Sequence, residues 1–235
     1  MDQGCGVTFS IVARDPDTDQ YGVAIASVFP SVGAVCPWVS EDGALSTQSW
    51  DSGADYGEPA LEMLARDISL HGAADLLVDE RGGGVGTQLH GVEADGTTHA
   101  YTGEKCVEWA GHLVGENHTV AGNMLVGEKV VEAVSDAYRE ATGRFTARLI
   151  EAVGAGEAAG GDKRGDNLSA AVLVYADTPK LYHNLRVDKP GQPITDLWEA
   201  YEAALKTERG MDDEEMAEFW GGPVPDSVRE YLIRY

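Results

Sequence analysis

Basic residues are scarce in this chain. Lys and Arg together number 17 against 40 Asp and Glu, a formal net charge of −23 over 235 residues. Such a surface repels phosphate backbones, which excludes nucleic acid as a partner, and it disfavours an anionic membrane surface for the same reason. Cysteine is scarce too. Cys5, Cys36 and Cys106 fall in no metal-binding spacing, and no Cys-x-x-Cys or His-x-x-x-His pattern occurs. That argues against zinc, and three cysteines in a chain this long do not make a disulfide scaffold. No run approaches the roughly 18 apolar residues that would span a bilayer. The start carries Asp2 in place of a basic stretch, so it does not read as a secretory signal. The expectation is a soluble cytoplasmic protein with neither metal nor organic cofactor. The acids are spread along the chain, among them Asp15, Asp17, Asp19, Glu93, Glu151, Asp212 and Glu215. Spread of this kind fits a hydrated, halophilic surface better than a single acidic site.

What is present reads as an α+β chain. Residues 8–14 and 20–28 are strand-like, joined by the turn residues Asp15-Pro16-Asp17-Thr18-Asp19. Residues 43–49 look like another strand. A helix is expected to begin near Pro59, with a second over about 71–79. After the glycine connector 82–86 come strands at about 87–93 and 98–103, joined by the hairpin signal Asp95-Gly96. A strand-like piece covers 118–121. Val130, Val134 and Tyr138 mark one helix and Leu149, Ile150 and Val153 a second, at about 145–158. Strands are expected at 168–175 and 180–187. Beyond the linker 187–193, Ile194, Leu197, Tyr201 and Leu205 define an amphipathic helix, and an acidic helical piece covers 212–219. Hairpins dominate, so the sheets should be mainly antiparallel, with helices in pairs outside them.

Four segments carry candidate chemistry. Thr8 heads the first strand. Thr47-Gln48 ends an apolar strand with polar groups. Gly122-Asn123 precedes a helix. Asp162-Lys163-Arg164-Gly165-Asp166-Asn167-Leu168-Ser169 leads directly into the apolar Ala170–Val174. Each sets polar atoms at the end of a buried strand, where rigid sites form. Each also has a plain structural explanation. Thr8 is a good strand former, Asn123 a good turn residue, and Ser169 a strand-end hydrogen bonder. Lys163 and Arg164 have acids to pair with. The six histidines share no spacing and read as ordinary polar residues.

Taken together, Thr8-Phe-Ser-Ile-Val-Ala-Arg14, Thr102–Cys106, Trp109–His112, Gly122–Leu125, and Ala158-Ala-Gly-Gly-Asp-Lys-Arg-Gly165 with Ser169-Ala-Ala resemble the family of unknown function DUF1028. The resemblance covers about residues 8–208. It implies the fold of the Ntn-hydrolase superfamily, a four-layer αββα sandwich. It further implies amide-bond hydrolysis by an N-terminal Thr, Ser or Cys, with no cofactor. Many family members begin Met-Thr-Phe-Ser-Ile, whereas this chain reads Met-Asp-Gln-Gly-Cys-Gly-Val before Thr8. A start codon read as Val7 would make the natural chain begin Met-Thr8. A second, local resemblance is Asp166-x-x-Ser169, which is similar to the Asp-x-x-Ser that supports the nucleophile's amine in proteasome β-subunits. No Lys matching theirs occurs between Thr8 and Gln48.

The expected organisation is an extension over 1–7, a hydrolase-like domain over 8–190, and a helical C-terminal extension over 191–235. Thr8 would act as nucleophile, with Asn123, Ser169 and Asp166 in catalytic roles. Gln48, Arg164 and Asp162 would face a small or peptide-like substrate. A homo-oligomer is compatible with this reading. The rival is a non-catalytic protein that keeps the fold for binding or assembly.

Overall fold

The computed structural model describes residues 8–49, 54–80, 86–208, 213–223 and 225. The N-terminal extension 1–7 with Cys5, most of the glycine connector, residue 212 and the end of the chain lie outside them.

Among the described residues, ten strands form two antiparallel sheets. The first holds six, in the order β10 (Asn184–Val187), β9 (Ser169–Tyr175), β2 (Gln20–Ser27), β1 (Thr8–Asp15), β8 (His118–Asn123), β7 (Gly111–Gly115). The second holds four, β3 (Pro37–Ser40), β4 (Gly43–Ser49), β5 (Thr87–Glu93) and β6 (Thr98–Thr102). The sheets stack face to face. Helices α1 (Ala54–Leu64) and α2 (Leu70–Glu80) cover the four-stranded sheet, while α3 (Lys129–Glu140), α4 (Phe145–Ala158) and α5 (Pro193–Glu208) cover the six-stranded one. A short helix α6 (Asp213–Trp220) follows. This is the α+β sandwich that the hairpin pattern implied.

Strand alternation fixes which side chains face which layer. In β1, Phe9, Ile11 and Ala13 enter the helix-side core with Val134, Leu149 and Val153. The intervening residues face the other sheet. Val12 does so in an apolar cluster with Val23, Ala44 and Val92. Ser10 does so through hydrogen bonds to the second sheet. Ile194, Leu197 and Tyr201 of α5 lie in the same core as Phe9 and Leu149.

Several boundaries differ from expectation. α1 already runs from Ala54, a full turn before Pro59. Packing extends it. Tyr56 is buried under the sheet, and Gly57 lies so close to the Trp38 ring that a Cβ there would overlap it. The strand at 118 continues through Asn123 because it pairs with β1 along its whole length. The piece at 180–187 splits into a 3-10 turn, Leu181–His183, and the short β10. The His183 ring accepts the Lys180 N–H, which folds the segment back before it can extend. β3 and β7, both short, were not anticipated. α4 ends where Gly160 and Gly161 take positive φ, with Gly161 N–H closing on the Gly156 carbonyl.

Candidate functional site

One rung of the six-stranded sheet carries a row of polar side chains. Thr8 pairs in register with Ser27 on one side and Asn123 on the other, and Ser27 pairs with Ser169. Asn123, Thr8, Ser27 and Ser169 thus sit side by side on four adjacent strands, all buried. Residues paired in register share a face, and the neighbours of Thr8 show which. Ser10 and Asn123 both reach the second sheet, so Thr8 faces it too.

A segment following α4 crosses the open end of β1. Lys163 N–H bonds the Met124 carbonyl beyond β8, and Leu168 N–H bonds the Ser27 carbonyl at the end of β2. β1 lies between those two strands, so residues 163–168 pass across its Thr8 end.

Behind the row runs a buried hydrogen-bonded chain between the sheets. Its direction follows from two backbone carbonyls, which only accept. Gln88 bonds the carbonyls of Gly122 at 2.8 Å and Gly111 at 3.1 Å. Its Nε2 must face them. Its Oε1 therefore receives Gln48 Nε2 at 3.0 Å and Asn123 Nδ2 at 2.9 Å. Gln48 Oε1 is then turned toward Ser10, whose hydroxyl donates to it at 2.7 Å. With its proton used there, Ser10 accepts from His90 Nε2 at 2.7 Å, and His90 Nδ1 accepts from Thr119 Oγ1 at 2.9 Å. Burial, and after it the nearby His112, push the His90 pKa down to about 3. The ring is therefore neutral, as this chain requires.

The chain leaves Asn123 in a defined state. One amide N–H is committed to Gln88, and Oδ1 is buried without a partner. The side chain thus offers an acceptor and its second N–H on the rung it shares with Thr8. Thr8 Oγ1 meets Ser27 Oγ at 3.2 Å. No titratable side chain among the described residues hydrogen-bonds it.

The other candidates are placed differently. Gln48 joins the site through Gln88, as an internal strut. Ser169 lies in the row, but its hydroxyl donates to the Phe29 carbonyl at 2.6 Å and accepts from Val32 N–H at 3.1 Å. It pins the 28–32 loop and does not touch Thr8. Asp162 is buried in the crossing segment. Its Oδ1 accepts the Arg164 backbone N–H at 2.7 Å, and its Oδ2 lies 3.5 Å from the Arg164 guanidinium. Burial raises its pKa, against the pull of those Arg164 groups. Arg164 and Asp166 are exposed on that segment. Glu157, Asp162, Asp166, Asn167, Gln192 and Thr195 contribute to a cavity of about 440 Å³ beside it, and Thr8 does not line that cavity. Among the described residues no group of three His, Cys, Asp or Glu could hold a metal, and no helix is long and apolar enough to cross a membrane.

Sequence reading missed Ser10, Ser27, Gln88 and His90. For Ser10 a signal existed. Thr8 and Ser10 are polar at alternate positions of a strand whose other residues through Ala13 are apolar. For Gln88 and His90 it did not, since their partners come from the opposite sheet.

Fold and site together define an α+β sandwich with a polar rung at the head of a central strand. The chain belongs to DUF1028, a family of unknown function whose model matches residues 8–197. It is similar to the DUF1028 protein SPO2555 from Silicibacter pomeroyi. The two are 29% identical with a TM-score of 0.78, over 84% of this chain and 89% of that one. No curated protein sequence matches the chain.

Proposed function

We propose that this protein is an amide-bond hydrolase of the N-terminal-nucleophile kind, with Thr8 as nucleophile and a small or peptide-like substrate. The observation that carries the reading is the position of Thr8. It is buried at the head of a central strand, flanked by hydroxyl and amide groups, with no side-chain base on its oxygen. An isolated hydroxyl in such a place needs a proton acceptor. His90 cannot serve, since both its nitrogens are engaged and its pKa lies near 3. A free α-amine on Thr8 would, because α-amines titrate at about 7.7–8.0 and are partly neutral near pH 7.

The working form in this proposal is therefore a chain whose first residue is Thr8. Its Oγ1 attacks the substrate carbonyl carbon, and the proton passes to the amine. The tetrahedral oxyanion is held by the second Asn123 N–H and by backbone amides. Collapse breaks the C–N bond, and the leaving nitrogen takes the proton back. Water then attacks the resulting ester by the same route and frees Thr8.

The test compares a chain that starts at Thr8 after removal of its initiator Met with the chain that starts at Met1, using an electrophilic amide mimic. The Thr8 form is expected to be labelled at Thr8 and the longer form to be inert. Thr8→Ala should abolish labelling and Thr8→Ser should retain part of it. Equal labelling of both forms, or a label on Cys36 or Cys106, would falsify the mechanism. Cys36 labelling is not expected in the native state, since burial pushes its thiol up to about 12. Failure would favour a binding or assembly protein on the same fold.

A further inference from the structure

The buried network leaves one acceptor unused. Asn123 Oδ1 is enclosed without a hydrogen-bond partner, on a residue 1% exposed to solvent. Neighbours whose protons can be placed do not serve it. Ser169, on the same rung, donates to the Phe29 carbonyl, and Gln88 donates to the Gly111 and Gly122 carbonyls. The Asn123 amide cannot turn over to satisfy the oxygen, because Gln88 Oε1 holds its Nδ2 at 2.9 Å and only accepts. An unpaired buried acceptor costs stability and calls for an explanation. Asn123 stands directly across from Thr8 in the β1–β8 register. The Cβ atoms of such a pair lie about 4.5–5.5 Å apart. A carbonyl carbon bonded to Thr8 Oγ1 is therefore within reach of both halves of the Asn123 amide.

Attack by Thr8 on an amide, the reading on which this inference rests, creates a donor at that place. In a planar secondary amide of the usual trans form, C=O and N–H point to opposite sides, and one side chain cannot meet both. Addition of Thr8 Oγ1 makes the carbon tetrahedral and the C–N bond single. The nitrogen becomes a pyramidal amine that can turn its N–H to the side of the oxyanion. Asn123 then holds the oxyanion through its second N–H and the nitrogen through Oδ1. The contact to nitrogen strengthens as that atom takes the proton from the α-ammonium of Thr8 and gains positive charge, before the C–N bond breaks. An interaction stronger in the transition state than in the ground state accelerates the step.

We propose that Asn123 is a specificity-determining residue: by accepting the N–H of the leaving nitrogen on Oδ1, it selects primary and secondary amides over tertiary amides and esters. A site with a buried acceptor rejects a substrate that lacks the donor, since the acceptor then stays unpaired. Primary carboxamides and ring amides carry C=O and N–H on one edge. They meet both halves of Asn123 before attack as well as after it, and are the favoured class.

The test uses the form that starts at Thr8 and three probes with the same substituents: a β-lactam with a ring N–H, its N-methyl derivative, and the β-lactone. Opening by Thr8 Oγ1 forms an ester, breaks the ring C–N or C–O bond, and passes the hydroxyl proton to the leaving atom. The whole probe mass therefore stays on the protein. Labelling rates at Thr8 are read by intact-mass spectrometry with peptide mapping, each divided by that probe's hydrolysis rate in buffer. On this scale the N–H lactam should react at least tenfold faster than either of the others. The lactone lacks the donor without adding bulk, so it separates the lost hydrogen bond from crowding by the methyl group. Asn123→Ala should bring the three relative rates together. The comparison in the parent protein needs no variant, and it stands if Asn123→Ala fails to fold. Equal relative rates in the parent, labelling by the lactone alone, or a preference that survives in a folded Asn123→Ala would overturn the inference and leave Thr8 as nucleophile. An Oδ1 engaged by the Thr8 amine would give the first of these results. No label on Thr8 from any probe would overturn the Thr8 reading itself, and this inference with it.

Discussion

At the residue scale, a few backbone carbonyls decide the state of a whole buried network. Gly111 and Gly122 orient Gln88, Gln88 orients Gln48 and Asn123, and Gln48 sets the roles of Ser10 and His90. Protonating His90 would put a second N–H on Nδ1, where the neutral ring accepts from Thr119 Oγ1, while Ser10 would go on accepting from Nε2. This gives a pH prediction with a definite sign. His90 titrates at about 3 in the fold and near 6.5 when unfolded. Between those values the unfolded chain binds the extra proton, so stability is fully present above about pH 6.5 and falls as pH drops toward 3. The slope from this one group is about 1.4 kcal/mol per pH unit. Asp162, with its raised pKa, contributes the opposite slope over its own range. Chemical denaturation of the parent and of His90→Gln between pH 7 and pH 4, about three units apart, isolates the histidine. The difference between the two should shrink steadily with acid, and a constant difference would contradict the assigned role. Thr8, Asn123 and Ser169 were legible as polar residues ending apolar strands, and the structure puts them on one rung. That Ser169 pins the 28–32 loop was not legible, because a strand pattern gives direction and face but not the partner.

At the element scale, long periodic segments were legible and short paired ones were not. The strand at 87–93 and the helix at 145–158 matched their patterns to the residue. β3 and β7, with four and five residues, carry too little periodicity and exist because a neighbouring strand supplies their hydrogen bonds. α1 overran its proline signal because Tyr56 packing outweighed it. The close packing of α4 makes a further prediction. Two glycines of this helix, Gly154 and Gly156, lie two residues apart in very different surroundings. A Cβ at Gly154 would meet only an Ile194 methyl at 3.7 Å, an ordinary contact. A Cβ at Gly156 would lie 2.6 Å from Val134 and 2.8 Å from Phe9, both in the core. Gly→Ala in a helix interior is favourable by roughly 0.5–1 kcal/mol, whereas overpacking costs typically 1–3 kcal/mol. Gly154→Ala should therefore raise the unfolding free energy, and Gly156→Ala should lower it. Urea midpoints of the two variants, at unchanged slope, test the contrast. Equal shifts would mean that α4 does not pack on β1 and α3 as closely as these distances state.

At the scale of the whole molecule, charge dominates. A net charge of −23 repels itself in the compact state. The ion pairs that offset it are mostly exposed. Arg66 with Glu62 and Arg139 with Asp136 each leave more than half of both side chains open to solvent, and pairs of this kind contribute little. The apolar core is ordinary in kind, so the charge term should show in how stability responds to salt. From about 0.1 M to about 1 M salt the Debye length falls from about 10 Å to about 3 Å, which removes most of the self-repulsion. Screening alone would then level off. A surface adapted to concentrated salt should keep gaining, because excluded salts strengthen apolar burial while hydrated carboxylates keep the chain in solution. The melting temperature is thus expected to rise steeply to about 1 M KCl and to go on rising, more gently, toward about 3 M. Thermal melts across that range distinguish three outcomes. A plateau at 1 M would leave screening as the whole effect, and a flat or falling curve would show that the acids do not destabilise the fold at all. Continued rise would place the acidic excess in the solvation of the entire surface. It would also predict that neutralising a single exposed acid outside the Thr8 rung, such as Glu132→Gln in α3, changes the low-salt melting temperature slightly upward and the high-salt value hardly at all.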